Sequence, residues 1–133
     1  MKKYIIAIFL LLLGFLPAEA KQKVVIATSP VPINTSSTDS FTCYFSTGQR
    51  IFYGVSAAKS FQDTALKIQI IKKENNAPNG VYTMAYAKTA SISRGDKFYT
   101  DYVILTTPGY YVIRVFELRD LEKALVSYGI WVK

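Results

Sequence analysis

The stretch TPGYYVIRVFE, which covers residues 107–117, decides the fold of this chain. A turn signal, Pro108-Gly109, precedes a run in which large apolar side chains occupy both alternating sets of positions. Successive side chains of a strand point to opposite faces of its sheet. The inward positions are Tyr111, Ile113 and Val115, and the outward positions are Tyr110, Val112, Arg114 and Phe116. The sequence thus predicts a strand with a complete core face and a second face that is larger than a core requires.

The rest of the chain has the same organisation, with short alternating runs separated by turn residues. The predicted strands cover residues 23–28, 41–45, 50–56, 66–70, 81–88, 97–105, 110–118 and 125–132. The sequence shows no internal repeat and no convincing long helix. We therefore predict an all-β fold, an antiparallel β-sandwich of seven to eight strands, and a closed barrel is the alternative arrangement.

Turn residues suggest how these strands pair. Gly48 lies in a short loop between 41–45 and 50–56, which predicts that these two strands form a hairpin. Strands 81–88 and 97–105 are expected to form the next pair. Both expectations place consecutive strands in the same sheet.

One stretch near the end of the chain has a helical alternative. Leu118, Leu121 and Leu125 have helical spacing, but the stretch is short and lies between β-branched runs. We interpret residues 119–123 as the tip of a hairpin.

The stretch from Thr107 to Ile113 resembles the approach to the penultimate strand of immunoglobulin-like domains, where the pattern runs acid-x-Gly-x-Tyr-x-Cys. Gly109 and Tyr111 match this pattern, whereas Thr107 replaces the acid and Ile113 replaces the cysteine. The tail ALVSYGIWVK (124–133) likewise resembles the last strand of bacterial immunoglobulin-like or fibronectin type III-like modules. The resemblance implies a sandwich, a structural corner role for Tyr111, and use in adhesion or recognition without an inherited active site.

The amino-terminal segment has the three parts of a secretory signal peptide. Lys2 and Lys3 precede an apolar run over 5–16, and Ala18-Glu19-Ala20 is a small-x-small cleavage site. The apolar run is shorter than the roughly 20 residues that a spanning helix needs, which disfavours a membrane anchor. We predict cleavage after Ala20 and an exported protein, periplasmic or extracellular, that does not span the membrane once processed.

The remaining chain is expected to form one domain. Residues 21–40 would supply an N-terminal strand and a linker rich in Ser, Thr and Pro, and residues 41–133 would form the sandwich body. Cys43 is the only cysteine, so no intrachain disulfide is possible. Alternation places Cys43 on the same face as Phe41 and Phe45, which predicts a buried, unpaired thiol.

The charge of the chain is basic but scattered. Lys and Arg number 16 against 9 Asp and Glu, a formal net charge of +7. An exported protein seldom meets nucleic acid, and no long basic run occurs. We expect a solvated basic surface and no nucleic-acid partner.

The residue inventory argues against an enzyme. The chain has no histidine, which removes the commonest general base and the usual zinc and copper sites. Asp101 and Glu117 are the only carboxylates on predicted strands, and nothing in the sequence indicates that they converge as a glycosidase pair. No EF-hand spacing suggests calcium. We predict a non-catalytic protein without cofactor or metal.

Two short motifs admit a functional interpretation. Arg94-Gly95-Asp96 matches a tripeptide that integrins read, although Gly95 also suits a hairpin loop flanked by solubilising charges. Asn34-Thr35-Ser36 is a glycosylation sequon that matters only in a eukaryotic host.

The aromatic residues are the stronger functional signal. The predicted interaction surface consists of Tyr110, Arg114, Phe116 and Trp131, which alternation places on the outside of the last two strands. Tyr82, Met84 and Tyr86 share one face of their strand and are expected to face the core.

These observations predict an exported module of the protein-binding or adhesion type, whose partner is a protein in the cell envelope or at the cell surface. The first alternative is a carbohydrate-binding module in which Trp131 and Tyr110 stack on sugar rings. A small enzyme that uses carboxylates is the second. Coplanar exposed rings about a sugar apart would favour the glycan, whereas a flat apolar patch beside an unpaired edge strand would favour a protein.

Overall fold

The computed structural model describes residues 23–34, 42–74 and 80–133. These residues form eight strands and no helix. The strands are β1 (Val24–Ser29), β2 (Tyr44–Phe45), β3 (Arg50–Ala57), β4 (Ala65–Lys73), β5 (Tyr82–Ser91), β6 (Phe98–Ile104), β7 (Gly109–Glu117) and β8 (Val126–Val132). The all-β prediction is confirmed. The predicted strand bounds lie within one residue of the observed ones, except that only two residues of β2 are strand and that β4 and β5 each continue three residues beyond the predicted end.

The strands form two sheets that pack as a sandwich. One sheet has three strands in the order β1-β3-β6, and the other has five in the order β2-β8-β7-β4-β5. Every pairing is antiparallel except that of β2 with β8, which is parallel. In the five-stranded sheet, β2 and β5 are the edges and β7 lies at the centre.

The core lies between the sheets and is built from alternate residues of each strand. On β7 the inward residues Tyr111, Ile113 and Val115 are buried, and on β8 Ile130 and Val132 are buried, as predicted. The opposite sheet supplies a matching inner layer, made mainly of Val24, Ile26, Ile51, Tyr53, Val55 and Val103. Full burial of a side chain of this size stabilises a fold by roughly 1.5–3 kcal/mol. The alternation of the sequence therefore accounts for the two-layer packing.

The tyrosine corner implied by the immunoglobulin-like resemblance is present. The Tyr111 hydroxyl donates a hydrogen bond of 2.5 Å to the backbone carbonyl of Thr107, four residues upstream. The ring is buried while its hydroxyl satisfies a carbonyl where the chain enters β7. Burial raises the pKa of Tyr111, and the charge of Glu74 adds to that rise. This residue has a structural role.

Two predicted hairpins are wrong. The loop after β2 does not return the chain to a neighbouring strand, because β2 lies in the five-stranded sheet and β3 in the three-stranded one. The Thr47 amide donates to the Lys133 carbonyl at 3.0 Å, and the Gly48 amide donates to the Leu105 carbonyl at 2.9 Å. The glycine-containing turn between β2 and β3 therefore carries the chain from one sheet to the other.

The predicted pairing of the β5 and β6 segments is also wrong, for the same reason. β5 pairs with β4, and β6 pairs with β3 in the other sheet. By contrast β7 and β8 form an antiparallel hairpin as expected. Its tip is fixed by a hydrogen bond of 3.0 Å from the Arg119 amide to Oδ2 of Asp63.

A β-bulge changes which residues of β5 face the core. The register of β4 and β5 shifts between Ile70 and Ile71, so Ile70 pairs with Tyr86 but Ile71 pairs with Met84. Tyr86 consequently packs against the core, whereas Met84 and Tyr82 are exposed on the outside. The expectation that all three face the core is wrong, because one inserted residue reverses the alternation.

The cysteine is less buried than predicted. Cys43 is free and half-buried, immediately before β2, and its carbonyl accepts a hydrogen bond of 2.7 Å from the Trp131 amide. Phe45, two residues on, is buried as expected. Cys43 precedes the two-residue strand and is not part of the buried core cluster.

The predicted signal peptide, the first two residues after it, and residues 35–40 of the linker lie outside the described residues. Residues 35 and 36 of the sequon fall there as well. In the described part of the chain, no helix has the length and apolarity to cross a bilayer.

Candidate interaction surface

The side of the five-stranded sheet that points away from the core is called the outer face below. Tyr110 and Arg114 of β7 and Trp131 of β8 lie on it, as alternation predicted. Trp131 is 45% exposed, while Tyr110 and Arg114 are half-buried. Three of the four predicted residues therefore share one accessible face.

Three aromatic residues occupy neighbouring positions on adjacent strands of this face. Tyr44 pairs with Trp131, and Trp131 pairs with Tyr110. The rings of Tyr110 and Trp131 touch, with centroids 4.9 Å apart and planes tilted by 52°. Tyr44 is 59% exposed, and the Lys133 ammonium lies 5.2 Å from its ring centroid. We call Tyr44, Tyr110 and Trp131 the aromatic strip.

A glycine provides the space for this strip. Gly129 pairs with Val112 on the outer face, and a Cβ atom at position 129 would collide with the Tyr110 hydroxyl and ring. The ring of Tyr110 therefore lies across Gly129 beside Trp131. Glycine inside a strand often marks such a close approach.

The apolar surface continues from the strip to the edge strand β5. Val112 pairs with Ile71, and Ile71 pairs with Met84, which is 53% exposed. Tyr82 lies one outward position further along β5 and is also exposed. Large side chains consequently follow one end of the outer face across all five strands.

Phe116 was predicted to belong to the exposed surface, but it is buried. It occupies an outward position of β7, opposite Lys67, yet it is only 5% exposed. The Arg114 guanidinium lies 5.4 Å from the Phe116 ring centroid and donates a hydrogen bond of 2.7 Å to Oε1 of Gln69. Alternation assigns a side chain to a face, but long neighbouring side chains on that face can still cover it.

Tyr44 is the residue that sequence reasoning missed. The prediction for 41–45 placed Cys43 and Phe45 inward, so the same alternation already put Tyr44 outside. What the sequence did not indicate is that β2 lies beside β8, which brings Tyr44 next to Trp131. The alternation therefore indicated that Tyr44 is exposed, but the wrongly predicted hairpin with β3 assigned it to the three-stranded sheet.

The three-stranded sheet carries a smaller aromatic cluster on its own outside. Phe52 and Tyr102 pair across β3 and β6 with ring centroids 5.5 Å apart, and the Arg50 guanidinium lies 5.2 Å from the Tyr102 centroid. Next to them, Ile33 and Phe98 pack over Gly54. Within this cluster Tyr102 is 43% exposed and Phe52 is half-buried.

The two strand carboxylates are engaged by cations. Asp101 of β6 forms an ion pair with Lys88 of β5 across the side of the sandwich, and it accepts a hydrogen bond of 3.0 Å from the Tyr99 hydroxyl. Burial opposes ionisation, but hydrogen bonds from Lys88, the Tyr102 amide and Tyr99 outweigh it and lower the pKa of Asp101.

Glu117 is buried at the far end of β7. One of its carboxylate oxygens lies 3.4 Å from the Arg119 guanidinium. In the described part of the chain, no group of three or more Cys, Asp or Glu residues could hold a metal ion.

A buried phenol lies behind the Asp101 ion pair. Tyr53 of β3 is fully buried, and its ring centroid is 6.3 Å from that of Tyr99. Burial, followed by the charges of Tyr99 and Asp101, raises the pKa of Tyr53 strongly. This environment therefore favours the neutral form of the Tyr53 phenol.

A cavity of about 280 Å³ opens at the end of the sandwich near the Tyr111 corner. Its walls include Lys72, Thr83, Ile104 and Thr107, together with the Tyr111 ring. Lys72 and Thr83 pair on the inner side of the sheet. The cavity is thus separate from the aromatic strip.

The Arg94-Gly95-Asp96 tripeptide lies in the exposed loop between β5 and β6. Gly95 has a φ of +98°, which favours glycine. Oδ2 of Asp96 accepts a hydrogen bond of 2.9 Å from the Ser93 amide. The carboxylate of the tripeptide is therefore used to close its own turn.

The comparisons with known proteins concern the fold. No protein-family model matches the chain, and no curated protein matches it. Among solved structures, an immunoglobulin-like protein from Pseudomonas aeruginosa is similar with a TM-score of 0.54 and 15% identity, over 86% of this chain and 99% of that one. The soluble domain of PmoD from Methylocystis sp. has a TM-score of 0.51 and 11% identity, over 83% of this chain and 90% of that one. This chain has an immunoglobulin-like β-sandwich fold.

Proposed function

We propose that this protein is an exported, non-catalytic β-sandwich module that binds another protein in the cell envelope or at the cell surface. The binding surface is the outer face, centred on the aromatic strip of Tyr44, Tyr110 and Trp131. The proposed compartment rests on the amino-terminal sequence. The absence of histidine in the chain supports a binding role over catalysis.

One observation supports the location most directly. Trp131 and Tyr44 are 45% and 59% exposed on neighbouring strands, and the apolar surface extends from them through Ile71 to Met84 on the edge strand. A contiguous exposed apolar patch on a small domain is typical of an interaction site. Tyr and Trp are also the residue types enriched at the centres of protein interfaces.

The ring geometry favours a protein over a glycan. Sugar stacking needs coplanar rings set apart as a platform, whereas the planes of Tyr110 and Trp131 are tilted by 52° and their centroids are 4.9 Å apart. The rings therefore pack against each other. The apolar surface also ends at β5, which pairs on one side only among the described strands, and such an edge suits contact with another chain.

Site-specific photocrosslinking in the native cell tests the proposal. A photoreactive phenylalanine analogue is placed at position 131 or, as a matched control, at position 102, because Tyr102 is a similarly exposed aromatic of the other sheet. We expect one protein adduct of discrete mass from position 131 and none from position 102. Excess unlabelled wild-type protein should abolish the adduct, and excess Trp131→Ala protein should not.

Two results would contradict the proposal. Equal adducts from both positions would mean that the outer face is not the binding surface. Retention by a polysaccharide matrix through Trp131, without any protein adduct, would favour the carbohydrate-binding alternative.

A further inference from the structure

The outer face combines its apolar strip with charges of a single sign. Four cationic side chains belong to it: Lys67, Lys73, Arg114 and Lys133. Lys73 and Lys133 are exposed at the end that carries the strip, and the Lys133 ammonium lies against the Tyr44 ring. Arg114 and Lys67 lie in the more polar half.

No carboxylate occupies an outward strand position of this face in the described part of the chain. The acids of the strands point elsewhere: Asp101 belongs to the other sheet, and Glu117 is buried on the inner side. The remaining described acids, Asp63, Glu74, Asp96, Asp120 and Glu122, follow or precede strands. The separation of charges is therefore a property of the fold and cannot be seen in the linear sequence.

We infer that the partner presents an acidic protein surface to the outer face, an inference that rests on the proposed function. A partner rich in Asp and Glu would neutralise Lys73 and Lys133 while its apolar side chains cover Trp131. A second copy of this chain fits poorly, because two such faces would bring like charges together. Complementary charge also predicts association that is fast at low salt and weakens as salt is added.

The experiment uses poly-L-glutamate as the probe, and Trp131 as the reporter, since it is the only tryptophan of the chain. Binding over the strip should change the fluorescence emission of Trp131. The test variant is Lys73→Glu with Lys133→Glu. The control variant is Lys23→Glu with Lys97→Glu, which changes net charge equally but alters exposed lysines beside the three-stranded sheet.

We expect wild-type protein to bind poly-L-glutamate with an affinity that falls as salt rises. The Lys73/Lys133 variant should bind at least about tenfold more weakly than wild type, because like charges across an interface are costly. The Lys23/Lys97 variant should stay within about threefold of wild type. Urea midpoints of both variants show whether each is folded.

Several outcomes would overturn the inference. Equal weakening by both variants would mean that net charge attracts the probe, with no role for the outer face. Absence of binding at low salt would exclude an acidic polypeptide, and selective binding to phosphatidylglycerol vesicles or to polygalacturonate would assign the face to a lipid or a glycan.

The two proposals fail separately. If position 131 still forms its protein adduct in cells while the lysine variants have no effect, the face binds a protein that is not acidic. If poly-L-glutamate binds as expected but no adduct forms, the charge complementarity holds and the proposed protein partner does not.

Discussion

Strands β7 and β5 are of similar length and both carry alternating large side chains, but they have opposite surroundings. β7 lies between β8 and β4, and its inward residues are fully buried. Among the described strands β5 has a neighbour on one side only, and eight of its ten residues are exposed. In these two strands the position in the sheet, more than the residue pattern, decides whether a large side chain belongs to the core or to a surface.

The largest expected difference is between Ile113→Ala on β7 and Met84→Ala on β5. Ile113 is fully buried, so its truncation should lower the free energy of unfolding by about 2–5 kcal/mol. Met84 is 53% exposed, so its truncation should change the free energy of unfolding by about 0.5 kcal/mol. Urea unfolding midpoints measure both. Similar losses would show that β5 packs as a central strand does.

Phe116 and Trp131 extend the comparison to the outer face. Phe116→Ala should destabilise by about 2 kcal/mol, below the roughly 3–5 kcal/mol of a core phenylalanine, because only side chains such as Arg114 cover it. Trp131→Ala should cost at most about 1 kcal/mol, since it is 45% exposed. The same urea midpoints apply. If Trp131→Ala destabilised the protein as much as Ile113→Ala does, Trp131 would belong to the core and not to the surface.

The corner hydrogen bond of β7 has a smaller effect. Tyr111→Phe keeps the buried ring but removes the donor to the Thr107 carbonyl, which should cost about 1 kcal/mol. The shift in thermal midpoint measures it. The control is Tyr44→Phe, which removes the hydroxyl of an exposed tyrosine on the edge strand β2. This variant should show no shift in thermal midpoint.

The ion pair that holds β5 to the other sheet gives a pH-dependent contribution. The pKa of Asp101 is lowered, so its stabilising effect is present above the usual value of about 3.9 and is lost as pH falls through the folded pKa. The pKa of Lys88 is raised, so the stabilisation from its ionised form is fully present below the usual pKa of about 10.4. That stabilisation is lost as pH rises through the folded pKa. The stability gap between wild type and Asp101→Asn should be constant from about pH 5 to 9 and should narrow below about pH 4. A gap independent of pH would mean that the ion pair contributes nothing.

Gly129→Ala should have a small effect on stability and a visible effect on the aromatic strip. The added methyl group displaces the Tyr110 ring, which is the far end of a flexible side chain. We expect a change in the emission of Trp131 with a loss of unfolding free energy below about 1 kcal/mol. Ser127→Ala, at the next outward position of β8, is the control and should leave the emission unchanged.

Sequence reasoning located the strands and the inner layer, because a two-residue period directly reflects which side chains are buried. It also assigned Tyr110, Arg114 and Trp131 to the outer face, where the structure places them. It failed for pairing, since a turn such as that at Gly48 looks the same whether the chain returns to its neighbour or crosses to the other sheet. The exposure of Met84 and the burial of Phe116 depended on a bulge and on a covering arginine, and neither leaves a periodic signal.

The order of strands also has a consequence for how fast the protein folds. Of the six described strand pairings, only β4 with β5 and β7 with β8 join consecutive strands. The other four connect segments distant in sequence, including the central pairing of β4 with β7. Domains dominated by non-local pairing fold in milliseconds to seconds, because the entropy of closing long loops is lost before the contacts form. Until β4 pairs with β7, the β4–β5 and β7–β8 hairpins leave apolar side chains exposed, and exposed apolar surface on an unfinished chain favours aggregation.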